Sequence, residues 1–180
     1  MVYRNKGFTL VELMVTVAIV AIGLSIAVPS FQAQILNNRS IALGEDFASA
    51  VNYTRSEAVK RAGRVSLCAS KNGTACDGVW TDGFMAFVDT AANDTATPPV
   101  VGLVLRVWER QNVDALITVR SDAIDVNFIR YTSLGTLARV NEKPVVIAAE
   151  LKKCTGKAAR RIDIGLSGLV SVNSAACTAY

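Results

Sequence analysis

Apolar and polar positions divide this chain into three stretches. From Phe8 to Val28 the residues are almost continuously apolar, interrupted only by Thr9, Glu12, Thr16, Gly23 and Ser25. The run is 21 residues long, enough for one helix to cross about 30 Å of hydrocarbon. Beyond Pro29 the apolar positions recur at spacings of three, four and seven: Phe31, Ile35, Leu36, Leu43, Phe47, Ala50, Val51, Ala58 and Val59. Gln34, Asn38, Arg39, Glu45, Asp46, Asn52 and Glu57 fall on other faces. This pattern predicts an amphipathic helix with one packed stripe, stopped at Gly63. Pro29 removes a backbone donor, so it predicts a kink or a local unwinding.

After Gly63 the period falls to two. Arg64–Ser70 alternates cleanly, and Lys71-Asn72-Gly73 is a turn signal. Further strands are predicted at Trp80–Val88, Val100–Trp108, Leu116–Arg120, Val126–Tyr131 and Val145–Leu151. Arg161–Leu166 and Leu169–Val172 flank Ser167-Gly168 and read as a last hairpin. Thr90–Pro99 is small, polar and proline-ended, hence a loop. The expected fold is α+β: a long N-terminal helix, transmembrane and then amphipathic, packed on an antiparallel β-sheet head. The segments are a leader at 1–7, an anchor at 8–28, a helical spine at 29–63 and a β-rich head at 64–180.

Charge adds direction to the anchor. Net charge is +4, and Arg4 and Lys6 before the apolar run supply half of it. Basic residues on that side predict a cytoplasmic N-terminus and a head across the membrane. Glu12 is the costly residue. One carboxylate in a membrane span costs roughly 2.5–3.5 kcal/mol on insertion scales. A positive group on another molecule is needed to offset it.

Composition narrows the chemistry of the head. The chain has no histidine, which removes the usual general base and the commonest metal ligand. No serine triad, cysteine–histidine pair or phosphate-binding glycine loop is present. Neither a cofactor nor a metal site is expected. Asp122 and Asp125 lack the regular run of oxygen ligands that calcium requires. Trp80 and Trp108 read as packing residues. Four cysteines behind an export segment imply two disulfides in an oxidising compartment. Spacing favours Cys68 with Cys76 and Cys154 with Cys177, although four cysteines allow three pairings.

Gly7-Phe8-Thr9-Leu10-Val11-Glu12-Leu13-Met14-Val15 resembles the class III signal of type IV pilins and type II secretion pseudopilins. The resemblance implies cleavage by a prepilin peptidase between Gly7 and Phe8 and N-methylation of Phe8. It also implies that Glu12 pairs with the freed amine of a neighbouring subunit during assembly. The helix end Tyr53–Arg61, then Gly63–Cys68 and Trp80–Asp89, are similar to the FimT/FimU minor pilins and GspH pseudopilins, whose heads hold two small sheets. The implied protein is a non-enzymatic minor pilin. Its implied partners are minor and major pilins, the peptidase, the inner membrane and the pilus assembly platform. Its head would lie in the periplasm and then in the pilus, in a priming or tip complex. A GspH-type secretion pseudopilin is the alternative.

One stretch of the head is strongly basic: Lys152, Lys153, Lys157, Arg160 and Arg161, with no acid among them. Such a cluster could touch DNA phosphates or a partner. FimT proteins are implicated in DNA uptake through a C-terminal Gly-Arg-x-Arg signature. The matching place here is Gly168-Leu169-Val170-Ser171, which lacks both arginines. DNA is therefore the less favoured ligand, and a solvated loop or subunit contact the favoured reading.

Overall fold

The computed structural model describes residues 7–109, 111, 113–138 and 143–178. Arg4 and Lys6, expected in a leader, lie outside the described residues. The chain forms two compact units, residues 1–35 and Leu36–Tyr180.

One helix, α1 (Leu10–Lys60), contributes to both units, with Pro29 inside it. In the first unit its side chains are exposed throughout. In the second, Leu43, Phe47, Ala48, Ala50, Val51 and Ala58 are buried. The helix stops where Gly63 N–H donates to the Ala58 carbonyl at 3.1 Å, with Ala62 at φ 47°. Four expectations change here. Phe31, Ile35 and Val59 of the predicted stripe are 66%, 38% and 51% exposed, and Glu57 is buried instead. Arg61 Nε reaches Glu57 Oε2 at 2.7 Å and Lys60 Nζ reaches Oε1 at 3.5 Å. These neighbours one turn along neutralise a carboxylate that periodicity alone assigns to solvent.

The head is two antiparallel sheets. The first has the order β3 (Val101–Trp108), β2 (Phe84–Asp89), β1 (Val65–Ala69), β6 (Phe128–Tyr131). The second has the order β5 (Ile124–Asp125), β4 (Ala115–Ser121), β7 (Val145–Leu151), β8 (Ala159–Ile164), β9 (Val170–Ala175). The main core joins Leu43, Phe47 and Val51 of α1 to Leu67, Phe84 and Ile129 of the first sheet and Ile147, Ile162 and Ile164 of the second. Phe47 sits 4.9 Å from the Phe84 ring and 5.4 Å from the Trp80 ring. The opposite face of the first sheet holds Cys68, Met85 and Phe87, covered by Val101, Val104 and Phe128. Small residues on α1 admit the second sheet. A Cβ added at Gly44 would lie 2.3 Å from Arg160 Cβ, and Ser40 Oγ accepts from Leu151 N–H at 3.1 Å.

Several strand boundaries move: β6 starts at Phe128 rather than Val126, and β8 runs Ala159–Ile164 rather than Arg161–Leu166. Trp80–Gly83 is a turn and β2 starts at Phe84, because Gly83 takes φ 131° and Trp80 Nε1 is drawn to the Val126 carbonyl at 3.0 Å. The last hairpin is longer than its apolar residues suggest, since β9 continues through Asn173 and Ser174 to Ala175. Ile124–Asp125 forms the two-residue β5, too short to leave a periodic signal.

Candidate functional site

The first candidate is the start of α1. Thr9 precedes the first helical residue and its Oγ1 accepts from Glu12 N–H at 3.2 Å. A threonine followed three residues later by glutamate is a capping-box signature, so sequence could have singled out Thr9, which the periodic reading passed over. The cap fixes Glu12 in the first turn, where the helix dipole favours negative charge. Gly7 stands outside the helix, and a Cβ there would meet nothing within 4 Å. Around Glu12, the large apolar residues from Phe8 to Val28 are between 49% and 75% exposed. The hydroxyls of Thr16 and Ser25 turn inward to the helix backbone, on Leu13 and Ile22 carbonyls at 2.8 and 2.7 Å. What remains outward is an apolar cylinder bearing one carboxylate. By length and composition it could cross a membrane.

The second candidate is the basic stretch of the head. Lys152, Lys153 and Lys157 are exposed on the connection from β7 to β8. Arg160 and Arg161 lie on β8, where successive side chains take opposite faces. Arg160 Nε reaches Glu45 of α1 at 2.9 Å, and Arg161 Nη2 reaches Asp163 at 2.9 Å. The three lysines thus share one exposed connection, while the two arginines turn apart, each with its own acid. Asn37 of α1 holds the same connection by accepting from Thr155 N–H at 2.9 Å.

The disulfides secure two margins of the head. Cys68–Cys76 ties the turn after β1 over the smaller core, and Cys154–Cys177 ties the chain end to the β7–β8 connection. Glu150 lies beside Cys154 and Cys177. The two sulfurs are bonded to each other, and the carboxylate accepts from Thr178 N–H at 2.9 Å and from its hydroxyl. The cluster is a clamp on the tail.

A buried ion pair escaped the sequence altogether. Arg130 Nε meets Asp89 Oδ2 at 2.7 Å, with both side chains fully buried. Burial alone would raise the Asp89 carboxyl. Donors on Ser66, Arg130, Ala91 and Val100 outweigh burial and hold it below its ordinary value. Arg130 Nη1 also donates to the Asp94 and Ala96 carbonyls at 2.9 and 2.7 Å. The pair therefore pins the Thr90–Pro99 loop to the first sheet. The partners are 41 positions apart, so no local pattern joins them.

A helix that is apolar and uncovered at its start and built into a two-sheet head at its end is the architecture of type IV pilins and pseudopilins. The profile of the prokaryotic N-terminal methylation motif matches residues 3–28, the segment holding Gly7, Phe8 and Glu12. The profile described as type II transport protein GspH matches residues 43–168, well over half of the chain. The chain belongs to the GspH family. Its fold is similar to that of the type IV minor pilin FimU of Pseudomonas aeruginosa strain PAO1, seen in two crystal forms. For the P21 form, identity is 20%, coverage 76% of this chain and 89% of that one, and TM-score 0.56. For the P65 form the values are 20%, 73%, 90% and 0.53. No curated protein matches the chain significantly.

Proposed function

We propose that this chain is a minor type IV pilin, made as a precursor, cut between Gly7 and Phe8, N-methylated at Phe8 and built into a pilus. The segments 1–7, 8–28, 29–63 and 64–180 then act as leader, membrane anchor, spine and periplasmic head. The observation that carries this reading is the capped, uncovered apolar helix with Glu12 in its first turn. Water is a poor solvent for that surface and hydrocarbon a poor one for that carboxylate. A bundle of like helices, in which each Glu12 meets the new N-terminal amine of a neighbour, satisfies both. Within the pilus the chain sits in the priming or tip complex, with other minor pilins and then the major pilin as neighbours. Prepilin peptidase and the inner-membrane assembly platform are its partners on the way.

The test is mass spectrometry of the chain recovered from membranes and sheared filaments. The expected N-terminal peptide begins with N-methylated Phe8. A chain that keeps residues 1–7, or is cut elsewhere, contradicts the proposal.

The GspH profile favours a second reading, a subunit of a type II secretion pseudopilus. Deleting the gene separates the two. Loss of piliation with normal secretion supports the pilus, and the reverse supports secretion. A DNA-uptake role is not favoured, because Arg160 and Arg161 are held by Glu45 and Asp163.

A further inference from the structure

The two sheets of the head have four outer strands, and three of them are blunted. The register of β3 shifts twice against β2, and its Arg106 lies over the Trp108 ring at 4.8 Å. β5 is two residues long. β6 is covered by the segment after it, through the Tyr131–Leu137 bridge and Ala138 N–H on the Arg130 carbonyl at 2.8 Å. β9 differs. It pairs with β8 in unbroken register over six residues, Val170-Ser171-Val172-Asn173-Ser174-Ala175. It contains no charge and no proline, and Ser171 through Ser174 are exposed. Charges, prolines, bulges and covering segments are the devices by which proteins keep sheet edges from pairing. β9 has none of them among the described residues.

Hairpin geometry tells which groups face outward. Gly168 closes the turn with φ 78°, where a Cβ would lie 1.9 Å from the Gly135 carbonyl oxygen. Its N–H donates to Gly165 at 2.8 Å, and Gly165 N–H donates to Leu169 at 3.0 Å. Gly165–Leu169 is therefore a hydrogen-bonded pair, and in an antiparallel ladder such pairs alternate. Ser171, Asn173 and Ala175 then point their N–H and C=O at β8. Val170, Val172 and Ser174 point theirs away, into the open. On the core side of the sheet the same edge presents Val172, which is 36% exposed beside Ile162. The other side presents Ser171 and Asn173.

We infer that β9 receives an extended segment from a different subunit of the assembly, added as a sixth strand of the second sheet. The segment is about five residues of alternating apolar and uncharged polar type, with an apolar residue beside Val172. This rests on the assembly reading above. A second copy of this chain is the poorer occupant. Two six-residue edges bury far less than the roughly 1,000 Å² a stable free dimer needs. A segment already tethered beside the head in an assembly pairs at high effective concentration.

Proline at the outward position tests this. Val172→Pro removes an N–H that serves no bond to β8 and suits an edge strand. Asn173→Pro removes a ladder bond and is the folding control. Full-length chains carrying each change, with Glu12→Gln as a third arm, are produced in cells lacking the native gene. Stability is measured on the purified full chain in detergent, and incorporation on sheared filaments. Amide exchange at Val172 and Ser174 is compared between the two preparations of wild type. The expected result for Val172→Pro is a melting temperature close to wild type and at least tenfold lower incorporation. In wild type, Val172 and Ser174 amides exchange at least tenfold more slowly in filaments than in detergent. Wild-type incorporation of Val172→Pro, with Glu12→Gln lost, overturns the edge and spares the assembly reading. Wild-type incorporation of both overturns both. Self-association in detergent that Val172→Pro abolishes gives the edge to a second copy and overturns the proposal as stated.

Discussion

The two ends of α1 are one helix in chemistry and two in fate. Around Phe47 every apolar side chain finds partners within its own chain, in two sheets and through aromatic contacts of 4.9 to 5.4 Å. Around Val17 the side chains are equally apolar, and none is buried. Hydropathy separates a stretch apolar on every face from one apolar along a single stripe. Partners decide which apolar faces are buried. A helix face becomes a core face when small residues such as Ser40 and Gly44 let strands approach, whereas the side chains from Phe8 to Val28 are exposed. The head buries its apolar side chains within itself, whereas the first unit leaves its own exposed.

The comparison can be broken from either end, and the largest effect belongs to the leader. Gly7→Val places a β-branched side chain at the proposed cut, and processing should fall to nearly nothing while the head folds normally. Immunoblots of membranes read this as accumulated precursor. Normal maturation would remove the leader assignment.

Next is the head's buried pair. Arg130→Leu or Asp89→Ala leaves a buried charge without its partner, a change that costs about 3–5 kcal/mol. Denaturant unfolding of the purified chain checks this. A double replacement by apolar residues should cost clearly less than the sum of the two single ones.

The disulfides come third. Cys154 and Cys177 are 23 residues apart and Cys68 and Cys76 are 8 apart. On the chain-entropy account the longer loop contributes about 1 kcal/mol more. Paired serine variants compared by thermal unfolding test that ranking. Mapping of unreduced peptides tests the connectivity.

Acid gives the smallest effect. Because Asp89 is held below its ordinary value, the unfolded chain binds more protons there than the folded one. Stability is therefore complete above the ordinary carboxylate range of about 4 and declines as pH falls through the lower folded value. Glu57, drawn down chiefly by Arg61, acts in the same direction. Asp89→Asn should flatten the acid limb of a stability-against-pH curve, and an unchanged limb would contradict the assignment.

Much of this was legible in the chain because it is periodic. The apolar run, the stripe through Leu43 and Phe47, and the alternation of β4 and of the first part of β7 survive in the structure, whereas β1 is buried on both faces. Periodicity misleads where a single contact overrides it. Glu57 is turned inward by Arg61, Trp80 is drawn into a turn by the Val126 carbonyl, and β9 runs on through polar residues because hydrogen bonds to β8 hold it. In the basic stretch, closeness in sequence hid the alternation of a strand, which turns Arg160 and Arg161 to opposite faces. Asp89 and Arg130 were invisible for the opposite reason: distance along the chain conceals a contact between β2 and β6, which reach each other across β1.

The most direct measurement concerns Glu12. If an uncovered apolar helix joins its neighbours by meeting a freed amine with this carboxylate, Glu12→Gln should still insert in the membrane and be processed. Its yield in sheared filaments should fall at least about tenfold, the factor that about 1.4 kcal/mol of lost pairing supplies. Filaments that contain the Gln variant at the wild-type level would contradict the account.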